Sequence, residues 1–433
     1  MTYQQTIDYL YNATPLYQNK GVGAYKPGLQ NTMALDAHLG HPHRAYKTIH
    51  VAGTNGKGSV CHTLASVLQA AGYKVGLYTS PHLIDFRERI RVNGKKVSKK
   101  YVCDFIAKER SFFEPLRPSF FELTTLLALN YFKDQQVDIA VIEVGLGGRL
   151  DCTNIISPIL SVVTNISIEH TQLLGNTEAE IAHEKGGIIK PSVPVVIGEA
   201  NETVRKVFQS IADERVAPLY FADDAPEVIR FTTQARAMKY ETASFGTLKH
   251  DLLGDYQLHN VNTILTALKH LDGVRISYEA IQKGFRAVQK QTHIEGRWQV
   301  ISRHPLFVCD SGHNTGSWKY IADQLRRYSR PLLILGFSND KDISRIMPLM
   351  PTHATYFWTQ ASVERAMPID ILTKMAQANG LDGQAFSCVG DAAEKALEQA
   401  DMHDIIFVGG SFFVVSDILS FMRNNRNYNL KKS

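Results

Sequence analysis

No stretch of this 433-residue chain stays apolar for the ~18 residues that a membrane-crossing helix needs. The longest apolar runs, Ile139–Val144 and Pro331–Phe337, have the length of buried strands. Cysteine is scarce: the five residues Cys61, Cys103, Cys152, Cys309 and Cys388 are odd in number, scattered, and form no CxxC pair. Structural disulfides and a cysteine-bound zinc are therefore not expected, and a reducing cytoplasm is. The opening MTYQQTIDYL lacks the apolar core of a secretory signal. Basic blocks are short, Lys99-Lys100 and Lys431-Lys432, so a polybasic surface for nucleic acid or membrane is not expected. The net charge of +5 is mild for this length and suits anionic small molecules.

What is present is an ordinary globular composition, 44% apolar and 21% charged. The length suggests two or three domains at ~150 residues each. Continuous apolar strands alternate with helical patterns. Thr48–Ala52 reads as a strand, Ser59–Ala71 as a helix ended by Gly72, and Lys74–Tyr78 as the next strand. Ile139–Val144, Leu160–Asn165 and Val193–Ile197 continue the series. Strands apolar on both faces and separated by helices predict a parallel sheet covered on each side. The pattern restarts after about residue 290, with strands at Leu306–Cys309, Leu332–Leu335, Thr355–Trp358 and Ile405–Val408. The expected architecture is α/β, with an N-terminal P-loop ATPase domain (1–292) and a smaller Rossmann-like domain (293–433). The polar-rich stretch Ala217–Leu253 reads as a small antiparallel insertion.

The chemistry concentrates after the first strand. Gly53-Thr54-Asn55-Gly56-Lys57-Gly58-Ser59 joins a strand to a helix, the context that identifies a phosphate loop. Glycines let backbone N–H groups face a phosphate, and the helix N-terminus adds positive charge. The loop departs from the general Walker pattern: Gly58 occupies the place of the magnesium-binding Ser or Thr. That hydroxyl must come from Ser59 or from another loop. Glu143 is the one charged residue of its strand and precedes a Gly-rich turn. It either caps that turn or, at the carboxyl end of a parallel strand beside the phosphate loop, binds magnesium.

GTNGKGS has the form found in Mur ligases. Together with Tyr78-Thr79-Ser80-Pro81-His82-Leu83, with Glu143-Val144-Gly145-Leu146-Gly147-Gly148-Arg149-Leu150-Asp151, and with the run His183 to Pro191, it resembles the dihydrofolate synthase/folylpolyglutamate synthase family. The similarity extends from about residue 1 to past 410. The resemblance implies an ATP-dependent ligase that joins L-glutamate to dihydropteroate or to the terminal glutamate of a folate. It implies ATP and Mg2+, with magnesium held by Ser80, Glu143 and His170. It implies nucleotide contacts from Thr54, Asn55, Gly56, Lys57, Gly58, Ser59, Asn260, Arg297 and Asp310. Catalytic roles fall to Lys57, His170 and Lys185, and Lys185 is expected to be carbamylated. The pteridine side is expected at Ser119, Phe120, Phe121, Glu122, Leu150, Asp151 and Cys152, under a covering segment, GAYKPGLQNT. Read without the family, Ser119 is equally a helix cap ahead of core aromatics. Where the family shows DxAHNP, this chain has Asp310-Ser311-Gly312-His313-Asn314-Thr315. A monomer acting on small molecules, without nucleic acid or membrane, is expected. Two other readings are a cell-wall Mur ligase and a nucleotide switch. A guanine switch would need an NKxD segment, which Asn339-Asp340-Lys341-Asp342 approximates only out of register.

Overall fold

A computed structural model describes residues 1–13 and 28–424 of the chain. Gly23 to Pro27 of the expected covering segment, and Lys431-Lys432, lie outside the described residues. Two compact units emerge, Met1–Asp251 with Gln257–Ile294, and Leu252–Tyr256 with Glu295–Ser433. Among the described residues, no helix is long and apolar enough to cross a membrane.

The first unit is built on an eight-stranded sheet. Its strands are β1 (Lys47–Ala52), β2 (Val75–Tyr78), β3 (Ile90–Val92), β4 (Lys95–Lys96), β5 (Ile139–Glu143), β6 (Leu160–Asn165), β7 (Val195–Glu199) and β8 (Leu219–Phe221). Their order is β4-β3-β2-β5-β1-β6-β7-β8. From β2 to β8 every pairing is parallel. The β5 sequence IAVIE is buried at all five positions, which explains why it shows no polar alternation. The helices are α1 (Tyr3–Ala13), α2 (Gln30–His38), α3 (Lys57–Ala70), α4 (Lys99–Phe113), α5 (Phe120–Asp134), α6 (Thr171–Leu174), α7 (Glu178–Gly186), α8 (Glu202–Arg215), α9 (Gln257–Lys269), α10 (Tyr278–Arg286) and α11 (Val288–Thr292). One face of the sheet buries Tyr78, Ala140 and Ile142 with Phe120, Leu123, Leu127 and Phe132. Each such aliphatic side chain, fully buried, contributes ~1.5–3 kcal/mol.

Two local expectations need correction, and an edge hairpin is added to the expected strands. The hairpin β3–β4 runs antiparallel to β2 and extends the sheet edge, although its strands, Ile90–Val92 and Lys95–Lys96, are too short to show as an apolar run. The stretch Ala217–Leu253 is not wholly an antiparallel insertion. Its first strand, β8, joins the main sheet parallel to β7. Only β9 (Val228–Gln234), β10 (Ala237–Thr242) and β11 (Thr247–His250) form a separate antiparallel sheet. Finally, the phosphate-loop helix begins at Lys57, two residues earlier than the apolar periodicity suggests.

The second unit has a six-stranded sheet in the order β12-β13-β17-β14-β15-β16. The strands are β12 (Gln299–Arg303), β13 (Leu306–Asp310), β14 (Pro331–Leu335), β15 (Thr355–Thr359), β16 (Gly383–Phe386) and β17 (Ile405–Gly409). β12 pairs antiparallel with β13, and the others are parallel. Helices α12 (Thr315–Leu325), α13 (Ile369–Ala378), α14 (Val389–Gln399) and α15 (Phe412–Asn424) complete it.

Candidate active site

Because β2, β5, β1 and β6 are neighbours and parallel, the loops leaving their carboxyl ends share one edge of the sheet. Those loops contain Ser80, the Gly145–Asp151 turn, the phosphate loop and His170. Glu143 ends β5 in register with Val51 of β1. Its carboxylate is 4% exposed, and Ser80 N–H approaches Oε2 at 3.4 Å. His170 stands at the start of α6 in the left-handed conformation, φ 49°.

The phosphate loop enters α3 through Gly56, whose φ is +85°. A Cβ there would lie 2.1 Å from Asn260 Oδ1, so only glycine fits. No side chain caps α3, unlike α5 and α7, whose N-termini carry capping boxes. Its first N–H groups thus remain directed at the loop, where an anion would satisfy them. Lys57 Nζ donates to the carbonyls of Gly53 (2.8 Å) and Thr54 (3.2 Å). The loop is laced to the end of β6. Thr54 N donates to Asn165 O, Asn55 N to Asn165 Oδ1, and Thr164 Oγ1 to Asn55 O. Thr54 Oγ1 exchanges hydrogen bonds with the Ser167 backbone.

Ser59 and Asn260 sit behind the loop. Gln257 Nε2 donates to the buried Ser59 Oγ at 3.2 Å, and Asn260 Nδ2 donates to Gln257 Oε1 at 2.8 Å. The Ser59 hydroxyl is thereby engaged in packing α9 against α3. Asn260 presses its Oδ1 on the Gly56 position, a support for the loop that its expected place near a nucleobase did not suggest.

Lys185 projects from α7 into the interior and is 2% exposed. Its Nζ donates to Gly53 O at 3.0 Å and lies 3.6 Å from Glu169 Oε1. Burial pushes its pKa down to about 8, helped by the Lys57 charge and opposed by Glu169. Glu169 is a partner that the sequence reading passed over, though it immediately precedes His170.

The residues expected on the pteridine side divide. Ser119 and Glu122 form a capping box on α5: Glu122 Oε2 accepts from Ser119 N at 2.6 Å, and Ser119 Oγ accepts from Glu122 N at 3.2 Å. Phe120 is 1% exposed and belongs to the core. Phe121 is only half-buried. Its ring lies 5.9 Å from Tyr78 and touches the Gly145 backbone so closely that a Cβ there would overlap it. Asp151 shapes the turn after Glu143, accepting from Gly145 N (3.1 Å) and Leu146 N (2.9 Å). Leu150 and Cys152 flank it, half-buried, and burial pushes the Cys152 thiol well up. Arg89, also unforeseen, is buried nearby, with Nε on His82 Nδ1 at 2.8 Å and its guanidinium over Phe120.

Arg297 and Asp310 belong to the second unit. Asp310 Oδ2 accepts from Tyr256 OH (2.6 Å) and Trp298 N (2.7 Å), and Oδ1 from Gly312 N (2.8 Å). Its carboxylate thus organises the 296–312 region. Arg297 bonds Ser311 Oγ and Gly296 O and lies over Phe412. Asn339-Asp340-Lys341-Asp342 also falls in the second unit, where Asp340 pairs with Arg365 at 2.6 Å.

The described residues form no cluster of three or more His, Cys, Asp or Glu side chains able to hold a metal. The hard oxygen donors of Glu143 and Ser80 at one strand edge nevertheless fit magnesium, which takes few protein ligands and keeps its waters.

Comparison with known proteins agrees with this architecture. Residues 51–268 match the family model of the Mur ligase middle domain, and residues 296–412 that of the Mur ligase glutamate ligase domain. A probable bifunctional folylpolyglutamate synthase/dihydropteroate synthase of Haloferax volcanii is 34% identical, over 96% of this chain and 50% of its own. The chain spans about half the length of that relative and of its Halobacterium salinarum counterpart. The dihydrofolate synthase/folylpolyglutamate synthase of Bacillus subtilis is 31% identical, over 91% of this chain and 94% of its own. Among solved structures, Escherichia coli FolC in complex with DHPP and ADP aligns with a TM-score of 0.83 at 29% identity, covering 98% of this chain and 99% of that one. The bifunctional enzyme of Yersinia pestis complexed with AMPPNP and Mn ion also gives 0.83 at 29% identity, over 98% of each chain. With its P-loop edge, its two α/β units and its likeness to the Bacillus subtilis enzyme over nearly all of both chains, the chain belongs to the dihydrofolate synthase/folylpolyglutamate synthase family of Mur ligases.

Proposed function

We propose that this protein is an ATP-dependent ligase that adds L-glutamate to dihydropteroate, to the terminal glutamate of reduced folates, or to both. The observation that carries this reading is the uncapped N-terminus of α3, with Lys57 at its mouth and the buried Glu143 carboxylate on the adjoining strand. The substrate carboxylate attacks the γ-phosphate of ATP and yields an acyl phosphate and ADP. The α-amine of glutamate then displaces phosphate and leaves an amide. Phosphoryl transfer of this kind needs positioning and charge neutralisation above all. Lys57 leaves the Gly53 and Thr54 carbonyls for the phosphates, and the loop N–H groups hold the phosphate oxygens. Ser80, Glu143 and His170 would hold the magnesium ion, which supplies positive charge to the transferring phosphoryl group. Phe121, Asp151 and the Gly145–Leu146 turn form the pteridine side, with Leu150 and Cys152 beside them. Asn260 serves the nucleotide through the loop it braces, and Arg297 and Asp310 keep the nucleotide roles that the family resemblance implies. Lys185, in carbamylated form, supports the metal side.

The reading takes the protein to act in the cytoplasm, as a monomer, on small molecules alone. The purified protein is offered ATP, magnesium and glutamate, with dihydropteroate or tetrahydrofolate in separate assays. ADP release that requires both glutamate and one of these pteridines supports it. Ligation of a muramoyl substrate instead, or hydrolysis indifferent to pteridine and glutamate, overturns it. The Glu143→Ala variant, folded as judged by circular dichroism, is expected to lose turnover even at saturating magnesium.

A further inference from the structure

His50 lies in the middle of β1 and has no exposed surface. Its register neighbours are Ile142 on β5 and Ser161 on β6. An aliphatic residue would suit this place on packing grounds alone. The imidazole makes one polar contact: Nε2 lies 2.8 Å from Thr153 Oγ1. The direction of that bond follows from the next one. The Thr153 hydroxyl donates its single proton to Asp151 Oδ1 at 2.5 Å, so its oxygen can only accept from His50. The ring is therefore the Nε2–H tautomer. Nδ1 is left as a buried lone pair with no donor. The ring is also neutral. Burial, seconded by the charge of Lys190, pushes its pKa down to about 3. Lys190 itself bonds Asn154 O at 2.8 Å, next to Thr153.

The chain of bonds ends in the site. Asp151 Oδ1 also accepts from Thr153 N at 3.0 Å, while Oδ2 accepts from the amides of Gly145 and Leu146. These two residues open the turn that follows Glu143, and Phe121 packs on Gly145. We propose that His50 is a positioning residue for the pteridine side of the site: it holds the Thr153 oxygen, so that the hydroxyl points at Asp151 and Asp151 holds the Gly145–Leu146 turn. A donor bonded to Thr153 Oγ1 also polarises its O–H and strengthens the bond to the carboxylate. The inference rests on the folate reading above and refines it.

The test compares His50→Met, which keeps the volume and loses the donor, with His50→Gln, whose amide N–H stands where Nε2 does. The KM for dihydropteroate or reduced folate and the KM for ATP are measured separately. His50→Met is expected to raise the pteridine KM about tenfold with the ATP KM nearly unchanged, and His50→Gln to stay within about threefold of the parent. Thr153→Val should match His50→Met, and the double variant should be no worse than Thr153→Val alone. Equal losses for both substrates, a Gln variant no better than Met, or additive losses overturn the proposal. If His50→Met does not fold, the comparison of His50→Gln with Thr153→Val decides in the same way. If the parent protein ligates glutamate to neither pteridine, the folate reading has failed. The arrangement is then judged by 15N NMR of histidine-labelled protein. A neutral Nε2–H ring at His50 that is perturbed in Thr153→Val supports it, and an Nδ1–H or charged ring overturns it.

Discussion

Lys57 and Lys185 place their ammonium groups on the same oxygen, the carbonyl of Gly53, at 2.8 and 3.0 Å. Burial is the main reason that Lys185 yields its proton more readily, and repulsion from the Lys57 cation adds to it. With its pKa near 8, Lys185 is about half neutral at pH 8, whereas an ordinary lysine is ~0.3% neutral. A neutral amine is the form that reacts with carbon dioxide.

The first prediction follows for the carbamylation proposed at Lys185. The folded-state pKa is lowered, so the neutral fraction grows as pH rises through 8. At constant dissolved carbon dioxide, recovery of activity by stripped enzyme should quicken about fivefold between pH 7 and pH 8. A stopped assay over time measures it, and a rate independent of pH and carbon dioxide would count against the modification. Lys185→Ala should be nearly inactive, with part of the activity regained in Lys185→Glu.

Gly56→Ala should abolish nucleotide binding. The added Cβ meets Asn260 Oδ1 at 2.1 Å and must adopt φ +85°, a conformation that costs a non-glycine residue ~1–3 kcal/mol. Adding Asn260→Ala removes the clash and leaves the strain, so ADP affinity should return only in part. Calorimetric titration of the two variants checks the order.

Neighbouring phenylalanines should behave differently. Phe120→Ala empties a core position and should lower stability by ~3–5 kcal/mol. Phe121→Ala, at a half-buried ring against Gly145, should cost less stability and raise the pteridine KM. Urea unfolding with steady-state kinetics separates the two outcomes.

Asp310→Asn should destabilise the second unit by ~1–3 kcal/mol. Each carboxylate oxygen accepts from a fixed donor, Tyr256 and Trp298 on one and Gly312 on the other. An amide cannot accept on both sides. A lowered urea midpoint with unchanged slope is the expected result.

The strands of both sheets were legible because a strand buried on both faces declares itself as a short apolar run, as β5 and β14 do. β3, β4 and β8 were not, since they are two or three residues long, and neither were β12 and β16, edge strands that are not buried on both faces. The same limit governed the site. GTNGKGS and Glu143 stand out locally, one by its glycines and the other as a charge in an apolar strand. Glu169, Asn165 and Arg89 are ordinary polar residues in the text, and what each meets is not adjacent in the chain: Lys185 for Glu169, Asn55 for Asn165, and the Phe120 ring for Arg89.

By itself the sequence determined the alternation of strands and helices, the phosphate loop at the end of β1 and the family resemblance, because all three are written in short-range order. Only the tertiary structure decided what the polar side chains do. Folding turned the hydroxyl of Ser59 toward Gln257 and brought the hydroxyl of Thr54 to the Ser167 backbone. It also committed Asp310 to the backbone of its own unit and joined Lys185 to Gly53 across 132 positions of chain. The physical reason is that a buried polar group must find a partner or bear the cost of desolvation, and which partner it finds depends on packing between segments that the chain order does not bring together.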